Sequence, residues 1–345
     1  MLNFDTKKQQ GKTKNRVGLD IGSHSVKVME VSGASSERPR LASLSIKHVA
    51  DRSPKAVIDA IREAAEAAKL STKDVAIALS GTSVIVRFVL MPKMTDAELA
   101  SAIKFEAEKF IPFNINECIV DFKVIKKEER DNKLNVLFVA AKKELIDEKL
   151  AVVEEAGLSA KVVDVEGFVL TNVFLRNFPS LSRDKNYALL DIGAKVTNLS
   201  IVRAGDICLV RDMAVGSLDF TSAIANSMHI DPKMAEEMKL DPKEKLKDIL
   251  SCTRPVFNNL LDEMRLPLSY YENQCGSSVD ELYVSGGGAG IAGLENVFQE
   301  GFGLKPVIWN PLQFMDVSES NVDTAFLDKT RSSFAIAAGL ALREI

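Results

Sequence analysis

Two short stretches of this chain carry the same chemistry. Leu19-Asp20-Ile21-Gly22 closes one apolar run, and Leu190-Asp191-Ile192-Gly193 closes another about half the chain later. Each is followed by a few small or polar residues (Ser23, His24, Ser25; Ala194, Lys195, Val196) and then by a second apolar run. A strand that ends in Asp-x-Gly before a second strand makes a tight hairpin loop, and its glycine lets the backbone approach a ligand. The loop N–H groups and the hydroxyls of Ser23 and Ser25 can hold phosphate oxygens, with Lys27 just beyond to neutralise them. Gly193 and Thr197 offer the same on the other side. Asp20 and Asp191, at opposed strand ends, can hold hydrated magnesium, an ion that keeps several waters and takes one or two carboxylates together with substrate phosphates. One Asp-x-Gly hairpin is a common turn. Two copies at half-chain spacing point to two similar domains facing a shared cleft.

A third glycine loop, Ser285-Gly286-Gly287-Gly288-Ala289-Gly290, follows the predicted strand Leu282–Val284 and precedes a helix predicted from Leu294. Such a loop can bring backbone against an adenine–ribose unit or a phosphate. It is neither G-x-G-x-x-G nor a P-loop, because no G-K-[ST] follows. Gly216, just ahead of the helix predicted over 217–229, joins the cofactor-binding candidates. Glu236 and Lys239 stand three apart on one predicted helix face and can either hydrogen-bond ribose hydroxyls or pair with each other. Glu166 is the candidate for orienting an attacking water, with Asp164 in reserve; the alternative is that Glu166 merely favours a helix start.

These residues are positioned by a recognisable run of elements. Strands are predicted at RVGLDIG, VKVMEVSG and RLASLSIKHVA, then a helix with Ser53 as N-cap and Pro54 at its first position, then strands DVAIALSG and SVIVRFVLMP. The span from about 92 to 162 reads as an inserted α-β-β-α unit. Its first helix opens with the Thr95/Glu98 capping box and stops at Ile111-Pro112-Phe113; its last helix is closed by Gly157. The second half repeats strand-turn-strand and adds helices over about 217–229, 232–240 and 243–275 and two closing helices. Residues 1–15 form a polar, basic tail in which Lys7, Lys8, Lys12 and Lys14, with Arg16 just after it, can meet acidic lipid or simply be solvated.

Composition narrows the classes. The chain has 345 residues, 46% apolar and 27% charged, with a formal net charge of −4. It is long enough for two domains, and its charge excludes an overall basic surface for nucleic acid. No window of 18 apolar residues predicts a membrane span, and the N-terminus has no apolar core of a secretory signal. Cys118, Cys208, Cys252 and Cys275 are scattered singly and read as buried small hydrophobes; with three histidines they form no metal cluster. His24, His48 and His229 are given no chemistry, and Trp309 is expected to pack in the second half.

Together the motifs resemble those of the actin-like ATPase superfamily, which includes actin, the heat-shock chaperone ATPases, sugar kinases, MreB and FtsA. Asp20–Lys27 resembles its first phosphate motif, Asp191–Thr197 its second, and Val284–Ala289 its adenosine motif. Met234–Leu240 resembles the A-E-E-x-K stretch of MreB that borders ribose and base. The connecting helices would start near Asp164–Phe168 and run over Phe334–Leu342. Ala194, Lys195 and Val196 depart from the extra glycine and threonine of the chaperone form. Within the superfamily the chain is most similar to the PilM family of type IV pilus assembly, from about residue 16 to the end. The specific stretches are VLMPKMTDAELASAIKFEAEKFIPFNINECIVDF and VLFVAAKKELIDEKLAVVEEAGLSAKVVDVEGFVL.

The resemblance implies an actin-like (ribonuclease H-like) duplicated α/β fold, two domains around a nucleotide cleft. The first domain would take 16–91 and 163–186, the inserted partner-binding subdomain 92–162, and the second domain 187–345 with a helical subdomain over 216–280. It implies ATP or ADP with Mg2+, slow or no ATPase activity, and a cytoplasmic protein peripheral to the inner membrane through its partners. The implied partners are the cytoplasmic N-terminal peptide of a PilN-like inner-membrane protein, the pilus motor ATPases and platform protein, and a further copy of the chain, without nucleic acid or membrane insertion. Phe105, Phe110, Ile111 and Phe113 are candidate groove-liners for the peptide and by default core residues. The alternatives are an FtsA/MreB-like filament protein, a type II secretion counterpart and a sugar kinase. An FtsA-type chain would continue into a linker and an amphipathic helix, whereas this sequence stops at Ile345. A sugar kinase needs a catalytic aspartate beside a sugar cleft that no segment supplies.

Overall fold

The computed structural model describes residues 15–51, 53–128, 133–318, 320 and 322–344. In chain order the elements are β1 (Arg16–Ile21), β2 (Ser25–Ser32), β3 (Arg40–His48), α1 (Pro54–Ala68), β4 (Asp74–Leu79), β5 (Val84–Pro92), α2 (Asp96–Glu108), β6 (Cys118–Glu128), β7 (Lys133–Lys142), α3 (Lys143–Glu155), β8 (Ser159–Val165) and α4 (Glu166–Asn177). The second half has β9 (Asn186–Ile192), β10 (Thr197–Arg203), β11 (Asp206–Met213), α5 (Ser217–Met228), α6 (Pro232–Leu240), α7 (Leu246–Cys275), β12 (Glu281–Ser285), α8 (Leu294–Phe302), β13 (Pro306–Ile308), α9 (Thr324–Thr330) and α10 (Ala335–Ala341).

The repeat seen in the motifs is a repeat of topology. One five-stranded sheet runs β3-β2-β1-β4-β8 and the other β11-β10-β9-β12-β13. In each, an antiparallel three-strand meander is extended by two parallel strands. Both Asp-x-Gly sequences leave the central strand of their sheet. The central strands are buried along both faces, which is why they read as unbroken apolar runs.

Helices α4 and α10 join the halves. All of α10 is buried, and it lies between β1 and α4. Its alanines and Gly339 let backbones meet. A β-carbon on Gly339 would strike the Val169 carbonyl at 2.5 Å, and one on Gly18 would meet the Ala341 nitrogen at 2.6 Å. Trp309 belongs to this seam rather than to the second half alone. Its ring stands edge-on to Phe174 of α4, with centroids 5.4 Å apart.

The inserted unit differs from its expected limits. Strand β5 pairs with β7, and β7 with β6, in a separate three-stranded sheet covered by α2. That sheet therefore starts at Val84, not at 92. Helix α3 packs Val153, Leu150 and Val152 into the core under α1, and β8 pairs with β4, so neither belongs to the insert. The unit is β-α-β-β. Strand β5 is a nearly continuous apolar run (VIVRFVLMP) that either sheet can bury, so sequence alone does not tell where it pairs.

The caps at Ser53 and at Thr95 with Glu98 are formed. Three of the four cysteines depart from the expected burial. Cys118 is buried, Cys208 and Cys252 are half-buried, and Cys275 is exposed because it is the last residue of α7, where the helix breaks at Gly276. Lys7, Lys8, Lys12 and Lys14 lie outside the described residues. Arg16 is not available to lipid: it opens β1, donates to the Leu342 carbonyl (3.0 Å) and pairs with Glu344.

The close approach at Gly18 gives a direct test. Gly18→Ala is expected to cost about 2–3 kcal/mol in urea unfolding, the upper range for overpacking a core, because what it meets is mostly backbone. Gly287→Ala, with nothing within 4 Å of the added carbon, is expected to change stability little.

Candidate functional site

The two hairpin loops are built alike. In the first, the Gly22 N–H donates to the Ser25 carbonyl (3.1 Å); in the second, the Gly193 N–H donates to the Val196 carbonyl (3.0 Å). A side chain at Gly193 would stand 2.7 Å from that carbonyl, so the turn needs glycine there. The third loop packs on the second. Gly286 has φ +90 and a β-carbon on it would sit 2.7 Å from the Ile192 nitrogen, while the Gly288 N–H donates to the Ile192 carbonyl (2.9 Å). Gly287 and Gly290 are exposed, and Ala289 is buried. Ser285 donates its hydroxyl to Asp191 Oδ1 (2.7 Å), which joins the adenosine-type loop to the second aspartate.

The charged groups gather beneath these loops. Lys27 pairs with Asp20 Oδ2 at 2.9 Å, both nearly buried. Burial works against the Lys27 ammonium, but the Asp20 charge and hydrogen bond, with Asp191 and Glu166 behind, leave its pKa raised. Asp191 is pushed up to about 6 by burial, opposed by the Ser285 hydrogen bond and helped by the Asp20 charge. Glu166 begins α4 and is pushed up to about 8, by burial first and then by Asp20 and Asp212; a Ser80 hydrogen bond opposes the rise.

Three of these neighbours were not singled out from the sequence. Lys149 of α3 donates to the Ile21 carbonyl (2.8 Å); burial lowers its pKa against the pull of Glu166 and Asp20. Asp212 of β11 accepts from the Gly81 N–H (2.5 Å) and from Asn198 Nδ2 (2.6 Å). His24 sits at the tip of the first loop, its ring edge-on to His48 at 4.7 Å, and feels Glu236 and Lys239 of α6. Lys149 and Asp212 come from elements whose local pattern reads as ordinary surface, while His24 lies in the first motif loop, where it was given no chemistry. The one sequence-level signal is the position of Asp212, near the end of the strand beside the motif hairpin.

Other candidates take different places. Asp164 does not face the cleft: it is 1% exposed and pairs with Arg343 at 2.8 Å, so it ties β8 to the C-terminal segment and is no reserve for catalysis. Thr197 is fully buried and gives its hydroxyl to the Val215 carbonyl (2.7 Å), a structural bond rather than a phosphate contact. Gly216 lets the start of α5 close on the Ala194–Lys195 peptide, and the Ser217 and Leu218 N–H groups donate to the Gly193 and Ala194 carbonyls. Lys239 is fully buried and spends its ammonium on the Ser217 carbonyl (3.2 Å), Thr221 (3.0 Å) and Glu236 (2.6 Å). It staples α6 to α5 and has no reach to a ribose, whereas Glu236 stays partly exposed. Ser23 is exposed at the loop tip and Ser25 is buried.

A second cleft, of about 280 Å³, opens where the insert meets both halves. The β4–β5 turn (Gly81, Thr82), the start of β5 through Arg87, Phe110 and Pro112, Val165, and Val210 to Asp212 line it. Arg87 and Arg211 both stand there. Burial and the Arg211 charge lower the Arg87 pKa. Of the four phenylalanine and isoleucine candidates only Phe110 lines this cleft. Ile111 is core, Phe113 is half-buried beside the same core under Lys142, and Phe105 is exposed on α2. Among the described residues no group of three or more His, Cys, Asp or Glu is placed to ligate a metal directly, and no helix is long and apolar enough to cross a membrane.

The raised carboxyl groups set a pH dependence. A folded-state proton on Glu166 stabilises the fold fully below its unfolded pKa near 4.5, and that stability is lost as pH rises through about 8; for Asp191 the window runs from 3.8 to about 6. The nucleotide-free protein is therefore expected to lose stability from about pH 5 to pH 8.5 in thermal melts. Glu166→Gln is expected to recover on the order of 1–2 kcal/mol at the alkaline end and to flatten the profile.

Comparison with known proteins agrees with this architecture. A family model described as type IV pilus assembly protein PilM matches residues 18–345. A solved structure of a PilM–PilN type IV pilus biogenesis complex contains a chain 31% identical to this one. It superposes with a TM-score of 0.83 over 95% of this chain and 98% of that one. The ethanolamine utilization protein EutJ of Carboxydothermus hydrogenoformans (15% identity, 97% and 91% coverage, TM-score 0.55) shares the fold. So does MreB5 of Spiroplasma citri bound to AMPPNP (13%, 95% and 95%, 0.51). The chain has the actin-like ATPase fold and belongs to the PilM family of type IV pilus assembly proteins.

Proposed function

We propose that this protein is a nucleotide-binding adaptor of type IV pilus assembly that holds the N-terminal peptide of a PilN-like inner-membrane protein and links it to the pilus motor. The observation that carries the reading is the near-complete superposition on a PilM chain from a PilM–PilN complex, combined with a lined cleft beside the insert in this chain. The cleft suits an extended peptide. It has an apolar wall (Val84, Val86, Phe110, Val210), an exposed residue at Thr82, and two arginines that can bond peptide carbonyls or carboxylates.

The nucleotide would lie across the three glycine loops. Its phosphates would meet the N–H groups around Gly22–Ser25 and Lys27, with Gly287 and Glu236 on the adenosine side. The donor set fits hydrated magnesium. The described residues offer no direct three-ligand site, while Asp20 and Asp191 each commit one oxygen to Lys27 or Ser285 and keep one for a metal-bound water. That a protein of the same fold, MreB5, is bound to AMPPNP supports nucleotide binding here.

The same site argues for slow hydrolysis. Without metal or nucleotide, a Glu166 carboxyl pushed up to about 8 is mostly protonated at neutral pH, so no ready base stands at the start of α4. The isolated protein with Mg-ATP is expected to turn over below about 1 s⁻¹, the low end of ordinary enzymes, in a phosphate-release assay. Faster turnover without partners contradicts the adaptor reading.

Binding tests the partner assignment. A fluorescent peptide of the first dozen or so residues of the cognate PilN-like protein is expected to bind saturably. Phe110→Asp and Arg211→Ala are each expected to weaken it by about tenfold, near 1.4 kcal/mol. A peptide that fails to bind the wild-type protein overturns the reading.

A further inference from the structure

We propose that the turn joining β4 to β5 couples the nucleotide site to the partner cleft, held from the nucleotide side by Asp212 and Glu166 as positioning residues. The proposal rests on the nucleotide and peptide sites proposed above. It assigns what neither the family nor the superposition assigns, which is the element through which one ligand senses the other.

Three observations carry it. First, the turn is gripped at Gly81, whose N–H donates to Asp212 Oδ2 at 2.5 Å, and the neighbouring Ser80 stands close enough to Glu166 to oppose the rise of its pKa. Second, Asp212 is in line with the second phosphate-site aspartate. Across the second sheet, Asp191 is directly opposite Asn198, and Asn198 is directly opposite Asp212. Residues opposite one another share a face of the sheet. A row of side chains thus runs from Ser285 and Asp191 through Asn198 to Asp212, closed at its far end by Asn198 Nδ2 on Asp212 Oδ1 (2.6 Å) and by Gly81. Third, Gly81, Thr82 and Asp212 themselves line the partner cleft.

Both ligands therefore act on one turn. Magnesium and phosphates at Asp20 and Asp191 change the field on Glu166 and Asp212, which hold the turn from behind. A peptide in the cleft presses on the same turn from the front. Two ligands that bias one element must shift each other's affinity by the same factor, since the coupling free energy is shared. Spatial continuity alone does not show coupling, so the test has to measure it.

The experiment uses the full chain. The dissociation constant of a fluorescent Mg-AMPPNP analogue is measured with and without saturating PilN-like peptide, and that of the peptide with and without the same analogue at saturation. The wild-type protein is expected to give the same ratio in both directions, at least about fivefold. Asp212→Asn offers one acceptor oxygen where Gly81 and Asn198 need two, and Ser80→Ala removes the grip of Glu166. In each the ratio is expected to fall to within about twofold of one. Cooperative melting checks that each variant is folded, and Ser80→Ala carries the test if Asp212→Asn does not fold. A wild-type ratio of one, with both ligands bound, overturns the coupling and leaves the adaptor reading standing. A ratio retained in both folded variants overturns the assignment to this turn. Failure of the peptide to bind the wild type overturns both.

Discussion

Four carboxyl groups, Asp20, Glu166, Asp191 and Asp212, crowd the floor of one cleft, with Lys27 and Lys149 as the ammonium groups among them. Burying like charges together is costly unless each is bonded, paired or neutralised by a proton. The fold meets that demand piece by piece. Lys27 pairs with Asp20, Ser285 bonds Asp191, Gly81 and Asn198 bond Asp212, and Glu166 holds a proton to about pH 8. Each of these donors comes from a different element, so strands of both sheets and the turn after β4 must all be in place before the site can exist. The hairpins set the aspartates, the glycine loop brings the Ser285 hydroxyl, α3 brings Lys149, and the turn into the insert brings Gly81.

The part of this that was legible in the sequence is the part made by local geometry. A strand that ends in Asp-x-Gly declares its turn within four residues, and the third glycine loop declares itself by composition. The repeat of the hairpins announced the repeat of two sheets. Lys149, Asp212 and the Ser80–Gly81 turn were not legible, because what brings them to the site is pairing and packing between distant segments. A lysine on an amphipathic helix looks the same whether it reaches solvent or the Ile21 carbonyl.

Two candidates went the other way for a related reason. Thr197 and Lys239 have types and positions that suit phosphate and ribose, but burial commits their polar atoms to neighbouring backbone and side chains. Inside a core a hydroxyl or ammonium takes the nearest acceptor, since leaving it unpaired costs more than the bond returns. The insert shows the same limit on the scale of a domain. Strand β5 reads as an apolar strand next to β4, yet it pairs with β7 in a separate sheet, and α3 reads as part of the insert although it packs under α1.

The two halves, alike in topology, differ in how their Asp-x-Gly hairpin loops are held. The second loop is clamped by its own half: the first N–H groups of α5 donate to the Gly193 and Ala194 carbonyls, Gly216 closes on it, and Lys239 fixes α6 behind α5. The first loop is held instead by Lys149, whose helix continues directly from β7 of the insert, and by the Val49 N–H on the His24 carbonyl. Displacing the second loop means breaking bonds inside a packed half. Displacing the first means moving α3, which packs under α1 and follows directly on β7, the central strand of the insert's sheet. The asymmetry is that the first loop is tied to the helix that follows the insert's central strand, whereas the second is tied to α5.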